Sequence, residues 1–121
     1  MFSALCTQGD YANQYLGFQS FLLNIGNDFD LSSGTFTTPI TGIYELSLSG
    51  RSGYYSTVKI MKNNEKVVSF YQGTTWLLPL HKGDKIRIHY SSSNPSSHYY
   101  YRFECRVDTP GIFNGKYLGP M

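Results

Sequence analysis

Three histidines, two cysteines and eight acidic residues carry whatever chemistry this 121-residue chain could perform. His81 and His89 flank Asp84, the kind of grouping from which a carboxylate-oriented imidazole base is built. No nucleophile accompanies it. The chain has no G-x-S-x-G elbow, and neither Cys6 nor Cys105 has a positioned base. A zinc site from His81, His89 and His98 would require three separated loops to converge, without any short ligand spacing to hold them. The histidines are read as solvated loop residues and the chain as no enzyme. A second group of residues suits recognition instead. Tyr54, Tyr55, Tyr71, Tyr99 and Tyr100 fall in loops or at strand ends, and Arg51 stands close to the first pair. Tyrosine gives a large contact area at low entropic cost, with a hydroxyl to orient polar ligands. Core packing and subunit contact are the competing uses for the same rings.

The elements that must hold these residues read as strands. Tyr44, Leu46 and Leu48 alternate with Glu45, Ser47 and Ser49, a period of two that places one face inward. Val58 and Ile60 lie inward on a strand over residues 57–62. Asn63-Asn64 then makes the turn, since asparagine tolerates the left-handed positions of a type I′ hairpin. Residues 66–71 return. Trp76, Leu78 and Leu80 alternate on the next strand, where Pro79 predicts a sheet edge or a bulge. Gly83-Asp84 turns the chain into Ile86, Ile88 and Tyr90, which point in, while Lys85, Arg87 and His89 point out. Tyr101, Phe103, Cys105 and Val107 are expected on the inward face of the last strand. No stretch carries a convincing helical period.

Composition narrows the class. Aromatic residues make up 17% of the chain, and 12 glycines divide it into short alternating runs, as in a sandwich or barrel. A formal charge of +2, with Lys and Arg scattered along the sequence, argues against nucleic acid. No apolar run is long enough to insert in a membrane, and residues 1–25 lack the pattern of a signal peptide.

Residues 24–44 carry a spaced signature, N-x-G-x-x-F-D-x-x-x-G-x-F-x-x-P-x-x-G-x-Y. Its positions are Asn24, Gly26, Phe29, Asp30, Gly34, Phe36, Pro39, Gly42 and Tyr44. It resembles the signature of the C1q globular-head domain, in the C1q and tumour-necrosis-factor superfamily. Leu80 with Gly83-Asp84 and Ile86-Arg87-Ile88 is similar to a second run of that family, and Phe2-Ser3-Ala4 to its opening strand. The resemblance implies an all-β fold, a two-sheet antiparallel jelly-roll sandwich of about ten strands. It spans a head domain over residues 2–108 and leaves residues 109–121 as a C-terminal extension. That tail is either docked through Ile112, Phe113, Tyr117 and Leu118 or, as its glycines favour, disordered.

Further expectations rest on the resemblance alone. First and last strands of the family are sheet neighbours, which would bring Cys6 and Cys105 together as a disulfide. Two buried free thiols are the competing reading. Some members bind calcium, for which Asp10, Asp28, Asp30 and Asp84 are the candidate ligands. For Asp30 and Asp84 the competing role is to bond turn backbone. Otherwise no cofactor is implied. The implied protein is an extracellular, secreted homotrimer whose head binds a protein or glycan ligand multivalently; the chain is read as a head domain excised from a longer protein, with a naturally stalkless protein as the competing reading. The alternatives are a structural trimerisation domain of a longer, collagen-like protein and a cytokine-like receptor ligand.

Overall fold

The structure is a computed structural model that describes residues 1–11, 14–52, 56–70, 75–92 and 103–121. Short β-branched and aromatic runs separated by turn residues become strands throughout. In chain order they are β1 (Phe2–Cys6), β2 (Gly9–Tyr11), β3 (Gln14–Tyr15), β4 (Ser20–Asn24), β5 (Phe29–Asp30), β6 (Thr35–Thr37) and β7 (Gly42–Ser49). There follow β8 (Arg51–Ser52), β9 (Ser56–Lys62), β10 (Glu65–Phe70), β11 (Thr75–Leu80), β12 (Lys85–Ser92), β13 (Phe103–Cys105) and β14 (Gly111–Gly119). Several are only two or three residues long, so the sandwich expected to have about ten strands is cut into more pieces by its bends.

Two sheets form its layers. The first has five strands in the order β11-β7-β14-β1-β4, and the second runs β10-β9-β12-β6-β5 with β3 paired to β12. Every pairing is antiparallel. Successive strands cross between layers: β4 lies in the first sheet, β5 and β6 in the second, β7 back in the first, β9 and β10 in the second. That wrapping is the jelly-roll connectivity. A small third sheet, β2-β13-β8, extends one end.

Alternation fills the space between layers. Phe2, Ala4, Tyr44, Leu46, Leu48 and Phe113 from the first sheet meet Phe36, Val58, Ile60, Ile86, Ile88 and Tyr90 from the second, all buried. Aromatic rings bridge the layers: Phe2 lies 4.6 Å from Phe29 and 5.0 Å from Phe36 in the second sheet, and 5.1 Å from Phe113 in its own, centroid to centroid. Such tilted and edge-on pairs add roughly 0.5–1.5 kcal/mol each to the burial itself.

The signature over residues 24–44 is fold chemistry. Gly34 has φ of +67°, and a Cβ there would sit 2.7 Å from the Leu16 carbonyl oxygen. Gly42 leaves room for the Tyr117 ring and for the Gly119 carbonyl, which a Cβ would meet at 2.5 Å. Buried Tyr44 turns its hydroxyl back to the corner before its strand, donating to the Ile40 carbonyl at 2.6 Å and accepting from the Ile40 N–H at 3.3 Å. Thr38, a buried polar residue, ties that corner to the β11–β12 turn: its N–H and hydroxyl both donate to the Asp84 carbonyl, at 2.9 and 3.0 Å. Asn63 and Asn64 take φ of 52° and 68°, the left-handed pair that a type I′ turn needs. Pro79 sits on β11, an edge strand, where its missing N–H costs no ladder bond.

Two expectations need correction. The strand beside β1 is β14, not the one that carries Cys105, and it lies between β1 and β7. The stretch read as an extension beyond residue 108 thus supplies a central strand of the first sheet. Val107, expected inward, is 84% exposed. Its strand stops at Cys105, where the Arg106 guanidinium folds back to donate to the Cys105 carbonyl and to Asp10, both at 2.8 Å.

Candidate functional site

Cys6 ends β1 and Cys105 ends β13, which belongs to the small third sheet. Their side chains are fully buried and bonded, S–S 2.01 Å with Cα atoms 5.4 Å apart. The bond therefore stitches the first sheet to the third. Gly111, paired with Cys6, makes room for it: a Cβ there would meet the Phe103 ring at 2.6 Å and the Cys105 sulfur at 3.4 Å. The loop closed spans 99 positions, for which chain entropy gives about 4–5 kcal/mol.

The four aspartates considered for calcium are not gathered into one cluster. Asp10 pairs with Arg106 at 2.8 Å. The Asp28 carbonyl accepts from the Thr37 N–H at 2.9 Å. Asp30 accepts from the Ser32 hydroxyl at 2.8 Å, the Ser33 hydroxyl at 2.9 Å and the Ser32 N–H at 3.1 Å, and these bonds hold its pKa below the ordinary value. For Asp84, burial pushes upward, but bonds from the His81 N–H at 2.8 Å and the Asn63 amide at 3.0 Å leave it lowered. Among the described residues, no group of three or more His, Cys, Asp or Glu side chains could hold a metal ion.

The histidine pair does not meet around Asp84. His89 is no loop residue; it lies within β12, and the four steps from Lys85 to His89 span about 13 Å of strand. Its ring stands edge-on to Tyr15 at 5.0 Å, and Nδ1 lies 2.9 Å from the Ser91 hydroxyl. Burial, then the charges of Lys59 and Arg87, lowers its pKa below 6.5. His98, Tyr101 and the tyrosines 54, 55, 71, 99 and 100 lie outside the described residues, and of Arg51 only the backbone is described.

Sequence reasoning took the basic residues as scattered, but sheet register gathers several of them. On the outer face of the second sheet, Arg87 on β12 is opposite Met61 on β9, which is opposite Lys66 on β10. In the adjacent row His89 is opposite Lys59 and Tyr15. Lys85 continues the same side of β12. The Arg87 guanidinium lies 3.7 Å over the Tyr15 ring, and its Nε is buried with no acceptor. A cleft of about 200 Å³ opens here, lined by Thr35, Met61, Asn63, Asn64, Lys85 and Arg87. The signal available beforehand was Lys85-x-Arg87-x-His89, three basic residues at strand period; their cross-strand partners were not legible.

The outer face of the first sheet differs in character. A groove of about 270 Å³ runs beside Ser3, Leu23, Ser47 and Asn114, bordered by the Lys116–Glu45 pair at 3.4 Å. Leu22, Leu23, Leu77 and Leu118 are exposed on strands of this sheet, at 68%, 39%, 62% and 48%.

A signature built into fold corners, a jelly-roll wrapping and a family model for the C1q domain that matches residues 1–104 agree. The chain belongs to the C1q domain family. Among solved structures, the globular domain of zebrafish complement 1qA protein is similar over 99% of this chain and 97% of its own, at 22% identity and a TM-score of 0.72. Murine APRIL is similar over 95% of this chain and 98% of its own, at 14% identity and a TM-score of 0.57. Both likenesses are of fold. They extend past residue 104, as they must if β14 is an integral strand of this C1q domain. No curated protein matches the chain. No helix among the described residues is long and apolar enough to cross a membrane.

Proposed function

We propose that this C1q domain is a non-enzymatic, extracellular recognition head that works as a homotrimer and binds a protein or glycan ligand multivalently. The family match over residues 1–104 carries the reading. Three features support it. The Cys6–Cys105 disulfide suits an oxidising compartment. The leucines on the outside of the first sheet share it with two small residues, Ser3 and Ser47, a surface another subunit can approach closely. Three copies of each loop would turn weak single contacts into avid binding. Tyr54, Tyr55, Tyr71, Tyr99, Tyr100 and Arg51 are the contact residues this reading would use.

The test is a glycan and cell-surface protein array probed with the native chain and with Ser3→Arg, which places a bulky charge on the outside of the first sheet. The native chain should bind discrete spots, and the variant should lose them by about a hundredfold as avidity disappears. An empty array, or equal signals from a native trimer and a monomeric variant, would count against multivalent recognition.

A further inference from the structure

We infer that the outer face of the second sheet is an anion-binding face that takes a sulfated or carboxylated glycan, with a charged substituent seated in the cleft between Lys85 and Arg87. The inference rests on the recognition reading above and gives it a ligand class and a place. Lys59, Lys66, Lys85 and Arg87 share this face through register: Lys85 and Arg87 are about 7 Å apart along β12, Lys59 is diagonal to Arg87 on the adjacent strand, and Lys66 is two strands, about 10 Å, from Arg87. No carboxylate pairs with any of them. All eight acidic residues of the chain are described, and the ion pairs of the described residues join Arg106 to Asp10 and Lys116 to Glu45. Asp30, which the register places opposite Thr35 at the sheet edge, is occupied by Ser32 and Ser33. Arg87 is held flat against Tyr15 and has a buried Nε without an acceptor, so its charge is fixed in place and uncompensated. The lowered pKa of His89 reports the same positive field, arising from Lys59 and Arg87 after burial; Tyr15 and Ser91 are the neutral groups that also face it.

The occupant follows from shape and chemistry. A cleft of about 200 Å³ admits one acidic substituent with part of a sugar ring, not a folded segment. Thr35 and Asn64 border it with neutral groups suited to hydroxyls. A protein partner would need a broad apolar centre, and among the described residues this side of the second sheet offers Met61 and, at the β10 bulge, Val67. A single-stranded nucleic acid would need free rings for stacking, whereas Tyr15 is covered by Arg87 and His89; duplex DNA is an arm of the test below.

The experiment measures binding of the full chain to immobilised dextran sulfate, unsulfated dextran, polyglutamate and duplex DNA, over a range of salt. Dextran sulfate should bind, and weaken as salt rises; unsulfated dextran should not. Arg87→Gln and Lys85→Gln should each weaken binding by about tenfold, the scale of one charge-assisted hydrogen bond. Arg106→Gln, an equal loss of charge on the β13–β14 connection, should leave it unchanged. Because Arg87 packs on Tyr15, exposed Lys85 is the variant that keeps the test valid if Arg87→Gln misfolds. In the native chain, dextran sulfate should raise the His89 pKa followed by imidazole proton resonance. Absent binding, equal loss in Arg106→Gln, an unmoved His89, or stronger binding to polyglutamate or DNA would overturn the inference. A chain that still trimerises and still binds array spots after Lys85→Gln would leave the recognition reading standing while this site falls.

Discussion

Phe113→Ala is expected to cost this protein as much as a mutation anywhere in its core, although it lies in the last ten residues. Its ring is fully buried and packs against Phe2 at 5.1 Å, Phe18 at 5.9 Å and Phe29 at 5.9 Å. Truncating a buried phenylalanine removes its transfer free energy and leaves a cavity, together about 3–5 kcal/mol. For 121 residues, an unfolding entropy near 0.25 kcal/mol/K converts that to a fall in Tm of roughly 12–20 °C. Val107→Ala is the matched control. It is a similar distance from the chain end but 84% exposed, so its change should stay within about 0.5 kcal/mol. Thermal and urea unfolding of both variants, followed by near-ultraviolet circular dichroism, gives the comparison. Small and equal shifts would refute the placement of β14 inside the first sheet.

Replacing both cysteines by alanine should lower stability by about 4–5 kcal/mol from loop entropy alone, and reductant should have no further effect on that variant; an unchanged Tm would contradict the linkage of first and third sheets. Tyr44→Phe removes the bond to the Ile40 carbonyl and leaves the Ile40 N–H without its acceptor, a loss of about 1–2 kcal/mol measurable by urea titration. Asp30 has a lowered pKa in the folded state, so its contribution is present above about pH 4, the unfolded value, and is lost as pH falls through the folded one. Asp30→Asn should flatten the acid limb of the stability profile below that pH, and a limb of unchanged slope would rule out the serine bonds as its cause.

The sequence made the sandwich legible because most strands present large residues at a period of two. Tyr44, Leu46 and Leu48, or Ile86, Ile88 and Tyr90, need no partner to show which side is inward. β14 is different. Its buried positions are Gly111, Phe113 and Gly115, and two of the three have no side chain to reveal the period. The space those glycines leave is filled by rings from elsewhere, Phe103 over Gly111 and Phe2 over Gly115. A strand whose core face is supplied by its neighbours looks like a loop in isolation. Val107 erred in the opposite sense, because alternation from Phe103 and Cys105 was carried past the residue at which the ladder ends. The cationic face was hidden for a related reason. Lys59, Lys66 and Arg87 are far apart in sequence, and only the β10-β9-β12 register sets them side by side. The disulfide pairing followed from family resemblance, yet through the wrong strand: Cys105 reaches Cys6 from the third sheet, not from a ladder with β1.

Mass in dilute solution tests the central proposal most directly, because every multivalent argument depends on more than one copy. Light scattering on a size-exclusion column should return about 41 kDa, three times the 13.7 kDa chain, and hold that value on tenfold dilution. A stable species of 13.7 kDa at all concentrations would contradict it.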